Sequence, residues 1–444
     1  MFSFDKLLGQ DTLDEHQTRS LSFFGTMALW LGANVVVTTI LTGMLLVPDL
    51  RFTTAMTTVL IGSLIGAVPL LLVGLMGQHT GLPSMVLTRR AYGPLGSRLI
   101  SFVNMSVLIA WSWIQALLAG MSLDYAISST TGYSNLALMT VICEAVVVLI
   151  VLRGHLGIER VERWAASLMV ILAAAVLYQL NRHYDIGNLL TMAPESRNGI
   201  TLGIAFDIVI ATAFSWISSS ADYNRNCKNS AVAIWGTYTG YLLAAVIAMG
   251  LGAAVSGISV LNGMEQTYDP TRLLSGFGFG LPAALVIFLS VMTTNVMAVY
   301  SATLSCMNVK PGMRFWKPAL VIGVVTVFGA LIPGILDQFQ NFLLLIGALF
   351  IPAFSVMIVD YYLVSRQGYD AELLESRTQV GLATAPFAIG AYLIGAALAA
   401  YWSLMAPLAF GASLPVFVIT GALYWAGVRL FVGKGRDDSL EATR

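Results

Sequence analysis

Twelve long apolar runs fill this chain, and nearly all of its Lys and Arg sit in every second gap between them. That pattern limits the fold before any motif is read. A bilayer's hydrocarbon core is about 30 Å thick, so a helix needs about 20 apolar residues to cross it. Lipid offers no partner to an open sheet edge, which leaves helices as the default spans. Of the 444 residues, 57% are hydrophobic and 10% are charged, and the mean hydropathy is +0.80. A soluble chain of this length would divide into about three domains. Here the composition points to one all-α membrane protein with 12 transmembrane helices.

The runs place expected spans at 22–48, 54–76, 97–127, 136–152, 162–181, 200–221, 231–256, 276–305, 318–336, 340–364, 381–405 and 410–433. Nineteen of the 23 Lys and Arg lie in the termini or in gaps after even-numbered spans, among them Arg89, Arg90, Arg153, Arg225, Lys310 and Lys317. Arg51, Arg182, Arg197 and Arg272 lie on the other side. This positive-inside bias predicts that both termini face the cytoplasm and that the number of spans is even. The basic clusters are thereby accounted for by topology, and nucleic acid is not an expected partner. The polar start, Met1 to Ser20, is expected to hold no cleavable signal peptide. Cys143, Cys227 and Cys306 have no metal-ligand spacing and read as small core residues.

Two spans carry interruptions. Span 1 contains Leu31-Gly32-Ala33-Asn34, and span 6 contains Thr212-Ala213-Phe214-Ser215-Trp216 followed by Ser218-Ser219-Ser220. Transporters built from two inverted five-helix repeats break the first helix of each half, and spans 1 and 6 are those positions. Small residues at close helix contacts are the alternative reading. The repeat reading predicts a cytoplasmic tail over 1–21, a first inverted repeat over 22–181 and a second over 200–364. Two further spans over 381–433 and a tail over 434–444 complete it.

Span 8 gathers Ser290, Thr293, Thr294 and Asn295 within about two helical turns, with Ser290 and Thr294 on one face at i, i+4. Hydroxyl and carbonyl oxygens are hard ligands for a small cation, and an unwound span 1 would add the carbonyls of Gly32 and Val35. The competing reading has the hydroxyls bonding back to the preceding turn. Span 3 places Trp111 and Gln115 four residues apart on one face. The indole suits stacking on a flat heteroaromatic ring, with the amide reading its edge; the alternative is an interfacial aromatic anchor, although Trp111 falls near mid-span. Glu144 lies mid-span 4, placed to relay protons or to pair with a neighbouring helix; Asp207 is expected to reach water, and Asp222 with Arg225 to close the end of span 6. His16, His79, His155 and His183 read as loop or tail residues. Neither a HExxH zinc motif, a GxSxG elbow nor a Walker loop occurs, and Gly276-Phe277-Gly278-Phe279-Gly280 reads as loop or helix-start material. An enzyme is not expected.

Over about 400 residues, in span order and loop placement, the chain resembles nucleobase:cation symporter family 1, and most of all its cytosine-permease branch. Trp111-Ser-Trp-Ile-Gln115 matches the family's span 3 element, Thr293-Thr294-Asn295 its span 8 element, and Asp222-Tyr223-Asn224-Arg225 its step out of span 6. The resemblance implies that Trp111 stacks on a base and that Gln115 bonds it. It implies a sodium ion held by Gly32, Val35, Ser290, Thr293 and Thr294, and it makes Thr212, Ala213 and Ser215 substrate-facing. The sequence departs where Ala213 replaces an expected aromatic, which leaves Phe214 or Trp216 to supply the second ring, and where Val36 replaces a ring in span 1. Asn34, Ser215 and Asn295 are further candidates for edge bonds.

The expected function is secondary transport of a neutral planar heterocycle, such as cytosine, hydroxymethylpyrimidine or a purine. Na+ or H+ is the expected coupling ion, no organic cofactor is required, and the cell (inner, cytoplasmic) membrane is the expected location. The partners implied are the substrate and the lipid bilayer, with no obligate protein partner. An amino-acid/cation symporter of the same architecture is the alternative.

Overall fold

The computed structural model describes residues 19–432 except 154, 185, 198, 265–279 and 377–379. Most of the expected tails, Arg272 and residues 276–279 of the glycine-rich stretch therefore lie outside the described residues. A helix stands on each expected span. The first is split into α1a (Phe23–Asn34) and α1b (Val37–Leu46). Then follow α2 (Phe52–Thr80), α3 (Arg89–Thr131), α4 (Leu136–Val151), α5 (His155–His183), α6 (Leu202–Asn224), α7 (Thr237–Leu261), α8 (Gly280–Val309), α9 (Trp316–Ala330), α10 (Phe339–Val359), α11 (Ala385–Leu404) and α12 (Ser413–Gly427). Among the described residues, eight helices are long and apolar enough to cross a bilayer, or nine with α1a and α1b taken as one bent span; α4 and α9 are shorter. The protein is a multi-pass membrane protein.

The packing repeats with an offset of five. α1 lies on α7 as α6 lies on α2; α1a touches α5 as α6 touches α10; α4 meets α8 as α9 meets α3; and α3 pairs with α8 across the centre. Glycines permit the closest of these crossings. A β-carbon on Gly77 of α2 would lie 2.6 Å from the Ala221 Cα of α6, and one on Gly252 of α7 would overlap the Ile40 carbonyl of α1b. Close backbone approach is how helices gain packing in lipid, where apolar burial against other helices adds little.

The break in span 1 is present, with a bend of 58°. Val35 (φ −80°, ψ 67°) and Val36 (φ −129°, ψ 162°) leave the helix, as their β-branched side chains favour. The expected break in span 6 is corrected: α6 runs unbroken for 23 residues. Its polar side chains do not compete for the backbone. Thr212 and Ser215 donate to the carbonyls of Ile208 and Ala211 at 2.9 and 2.8 Å. Ser219 and Ser220 instead reach other helices, at Ser301 Oγ and the Leu70 carbonyl.

Asp207 does not reach water either. It is buried and accepts from the backbone N–H groups of Ala412 and Ser413, both at 2.8 Å, so it caps α12. Asp222, at the far end of α6, accepts from Ser84 N at 2.8 Å and from Ser301 Oγ at 3.3 Å. His79 sits in the last turn of α2, not in a loop, between Tyr361 Oη and Ser230 Oγ, each at 3.1 Å.

Candidate functional site

The bend of α1 and the crossing of α3 over α8 leave a cavity between α1b, α3, α6 and α8. Its wall is made by Thr38, Thr39 and Thr42 of α1b, Leu108, Trp111 and Gln115 of α3, Thr212, Ser215 and Trp216 of α6, and Thr294 and Ala298 of α8. None of these side chains is charged. Six of the expected residues thus meet on one cavity: Trp111, Gln115, Thr212, Ser215, Trp216 and Thr294.

The aromatic parts are held from behind. Trp111 packs edge-on against Phe339 and Phe342 of α10, with ring centroids 6.0 and 5.0 Å away. Trp216 meets Trp30 of α1a at 6.3 Å with perpendicular planes, and Trp30 Nε1 donates to Asn224 Oδ1 at 3.0 Å. Each indole is oriented by other rings and not by a polar anchor. Trp111 Nε1 and Gln115 Oε1 are buried without a hydrogen-bond partner among the described residues, an unfavourable condition that a bound polar molecule would relieve. The hydroxyls of Thr212 and Ser215 spend their protons on their own helix, so toward the cavity they offer lone pairs.

Next to this cavity the break of α1 meets α8. Ser290 Oγ donates to the Val35 carbonyl at 3.4 Å, across the break. Thr293 and Thr294 both donate to the Ser290 carbonyl, at 2.9 and 3.0 Å, which is the backbone-bonded arrangement anticipated as the alternative. Gly32 is buried in the last turn of α1a, where carbonyls run out of helical donors. The oxygens here come from hydroxyls and carbonyls, a donor set that suits a hard monovalent cation, and Thr294 belongs to both this group and the cavity wall.

Three expected contacts are elsewhere. Asn34 donates from Nδ2 to the Trp30 carbonyl at 3.3 Å, and its Oδ1 is buried without a partner among the described residues. Phe214 points to α12, 6.2 Å from Phe417 between centroids. Asn295 is tied to Ser112 Oγ (2.6 Å) and Glu144 Oε2 (2.7 Å). None of the three lines the cavity. Conversely, Thr38, Thr39 and Thr42 were not anticipated, although their spacing after the break, with Thr38 and Thr42 at i, i+4, is a readable face.

Residues 14–432 match a family described as permeases for cytosine and purines, uracil, thiamine and allantoin. Among curated proteins, the purine-cytosine permease fcyB of Emericella nidulans is 25% identical, covering 83% of this chain and 76% of that protein. The cytosine permease of Escherichia coli (strain K12) is 24% identical, covering 70% and 71%. Among solved structures, the chain resembles Mhp1, a nucleobase-cation-symport-1 family transporter, in a closed conformation with bromovinylhydantoin bound. The TM-score is 0.82 at 20% identity, covering 95% of this chain and 97% of that one.

Proposed function

We propose a transport cycle from one premise: this chain belongs to the family of permeases for cytosine and purines, uracil, thiamine and allantoin. It is a transporter and not an enzyme. Its cargo is a neutral, planar, nucleobase-like heterocycle (cytosine, another pyrimidine such as hydroxymethylpyrimidine, or a purine). It enters the cell by symport with Na+ or H+ through alternating access. Both termini face the cytoplasm, and the membrane is the cell's inner, cytoplasmic one.

The observation that carries this reading is an uncharged cavity with two indoles and an unpaired amide oxygen in its wall. Trp111 and Trp216 supply flat apolar faces, and ring stacking contributes about 0.5–1.5 kcal/mol beyond area burial. Gln115 Oε1 accepts from a ring or exocyclic N–H, and the Thr38, Thr39, Thr212 and Ser215 hydroxyls complete the edge. A ligand lacking those polar atoms leaves buried groups unpaired, which is the strong form of selectivity. Trp216, not Phe214, is the second ring. A sodium ion sits between the Gly32 and Val35 carbonyls and the Ser290, Thr293 and Thr294 hydroxyls, with Thr294 linking it to the cargo. Coupling follows because ion and cargo both favour the state in which α1 and α8 are drawn together, and such a linkage is reciprocal.

An amino-acid symporter of the same architecture is disfavoured by the uncharged wall and by the continuity of α6, which offers no second unwound backbone to a zwitterion. A thermal-shift screen of purines, pyrimidines, vitamin precursors and glycine-like zwitterions, with and without sodium, separates the two. Stabilisation by a nucleobase, larger in sodium, is expected. Stabilisation by zwitterions alone would overturn the proposal.

A further inference from the structure

One residue on from Trp111 and from Thr294, a line of polar groups crosses otherwise apolar packing. Thr326 of α9 donates to Ser112 Oγ at 3.1 Å, and Ser112 donates to Asn295 Oδ1 at 2.6 Å. Asn295 Nδ2 then donates to Glu144 Oε2 of α4 at 2.7 Å. All four side chains are buried. Glu144 Oε1 has no partner among the described residues. It faces α9 at Gly323, where a β-carbon would stand 3.8 Å from it.

We infer that Glu144 is a proton-binding site, and that taking up a proton reverses the direction of this hydrogen-bond chain beside the cavity. The bearing of the site on transport rests on the reading above. An ionised carboxylate only accepts, so the Asn295 amide must turn its NH2 toward Glu144 and leave Oδ1 for Ser112, as observed. A protonated carboxyl donates. The amide then turns over, presenting Oδ1 to the Glu144 O–H and NH2 to Ser112 Oγ, and Ser112 sends its own proton to Thr326 Oγ. Three hydrogen bonds are made in either direction, and the O–H formed at Glu144 is balanced by the O–H broken in the hydronium ion that delivers the proton. The two states differ by one proton and one amide rotation.

The surroundings fit a proton better than a metal or a fixed charge. One carboxylate oxygen is covered by an N–H donor, which repels a metal ion, and the other stands alone, far short of a cation's coordination shell. Among the described residues, Cys143 on the same helix is the titratable group in its field. Among the described residues, the faces of α3, α5, α8 and α9 turned toward it bring no Lys, Arg, His, Asp or second Glu to act on it. An unpaired carboxylate inside a span is costly, and intramembrane carboxyls of this kind mark proton paths.

The test is pH-difference infrared spectroscopy of the full chain in lipid, wild type against Glu144→Gln. A titrating carboxylic-acid carbonyl band is expected in the wild type and is expected to vanish in the variant. Identical difference spectra overturn the inference. Should Glu144→Gln fail to fold, Asn295→Leu removes the donor that favours the charged form. It is expected to raise the proton affinity behind that band about tenfold, moving its midpoint up by about one pH unit. An unmoved midpoint overturns the inference equally. Counterflow of radiolabelled cytosine, uracil, adenine and hydroxymethylpyrimidine in liposomes tests the transport reading separately. Counterflow without the band removes the proton site alone, and the band without counterflow of any base removes the transport reading alone.

Discussion

The first helices of the two repeats received similar sequence signals and folded differently. α1 carries Gly32-Ala33-Asn34 before three valines and bends by 58°. α6 carries two hydroxyls, an indole and three consecutive serines at the corresponding depth and stays helical for 23 residues. The difference lies in what each polar atom does. In α6 Thr212 and Ser215 bond back one turn while Ser219 and Ser220 reach across to α8 and α2, and the helix keeps its backbone ladder. In α1 the residues that leave the helix are Val35 and Val36, which have no polar side chain at all. Their non-helical backbone frees the Val35 carbonyl, which meets Ser290. Hydroxyl-rich segments are therefore tools for contact, and β-branched residues after a helix end are the sharper signal of a break. On the proposed reading the labour divides accordingly: the broken helix would supply backbone oxygen to the coupling ion, and the unbroken one a fixed wall to the cargo.

The largest effect is expected where α1 depends on its partner's backbone. Gly252→Leu drives a side chain into the Ile40 carbonyl of α1b. Overpacking typically costs about 1–3 kcal/mol, and here the neighbour is backbone that cannot turn aside. Gly77→Leu does the same to α6 at Ala221. Both are expected to abolish a monodisperse peak on size exclusion. A folded Gly252→Leu protein that has lost only sodium dependence would show that α1b moves independently of the core, and would sharpen the contrast. Next come the rings. Trp111→Ala and Trp216→Ala are each expected to weaken cargo binding by about tenfold or more, equivalent to about 1.4 kcal/mol. Isothermal titration checks this, with Phe214→Ala as the control that changes affinity little. An affinity loss at Phe214 equal to that at Trp216 would exchange their roles.

How much of this was readable in the sequence depends on the range of the interaction. The twelve helices, the break in α1 and the Trp111–Gln115 pair rest on local composition and on i, i+4 geometry, and were legible. The phase of α6 was not. Phe214 and Trp216 are two residues apart, and the angle between them decides which ring faces α12 and which the cavity. Helix geometry fixes that angle at about 200°, and the rotation of α6 about its axis, which chooses the ring, is set by contacts with α2 and α10. Asn295 was read as a ligand-facing amide because its partner, Glu144, lies 151 residues away in sequence. Asp207 was read as solvated for the same reason, its acceptor role being defined by α12. Thr38, Thr39 and Thr42 carry no local mark of a cavity, because the helices that face them, α3, α6 and α8, come from distant parts of the chain.

The smaller effects compare the two helices atom by atom. Ser290→Ala removes the hydroxyl opposite the α1 break. It is expected to raise the sodium concentration for half-maximal binding by about threefold to tenfold, about 0.7–1.4 kcal/mol, while leaving sodium-free binding unchanged. Equal sodium curves would detach the ion from α1 and α8. The smallest shift is expected from Thr212→Val. Its hydroxyl proton already serves the Ile208 carbonyl, and a back-bond of this kind contributes little to a membrane helix or slightly weakens it. Valine keeps the shape, so α6 should remain straight and the melting temperature nearly constant, with a stability change within about 0.5 kcal/mol. What valine removes is the pair of lone pairs turned to the cavity. A fall in base affinity of about threefold at constant stability is expected from the loss of that acceptor, and an unchanged affinity would remove Thr212 from the edge of the cargo and leave α6 as a wall alone.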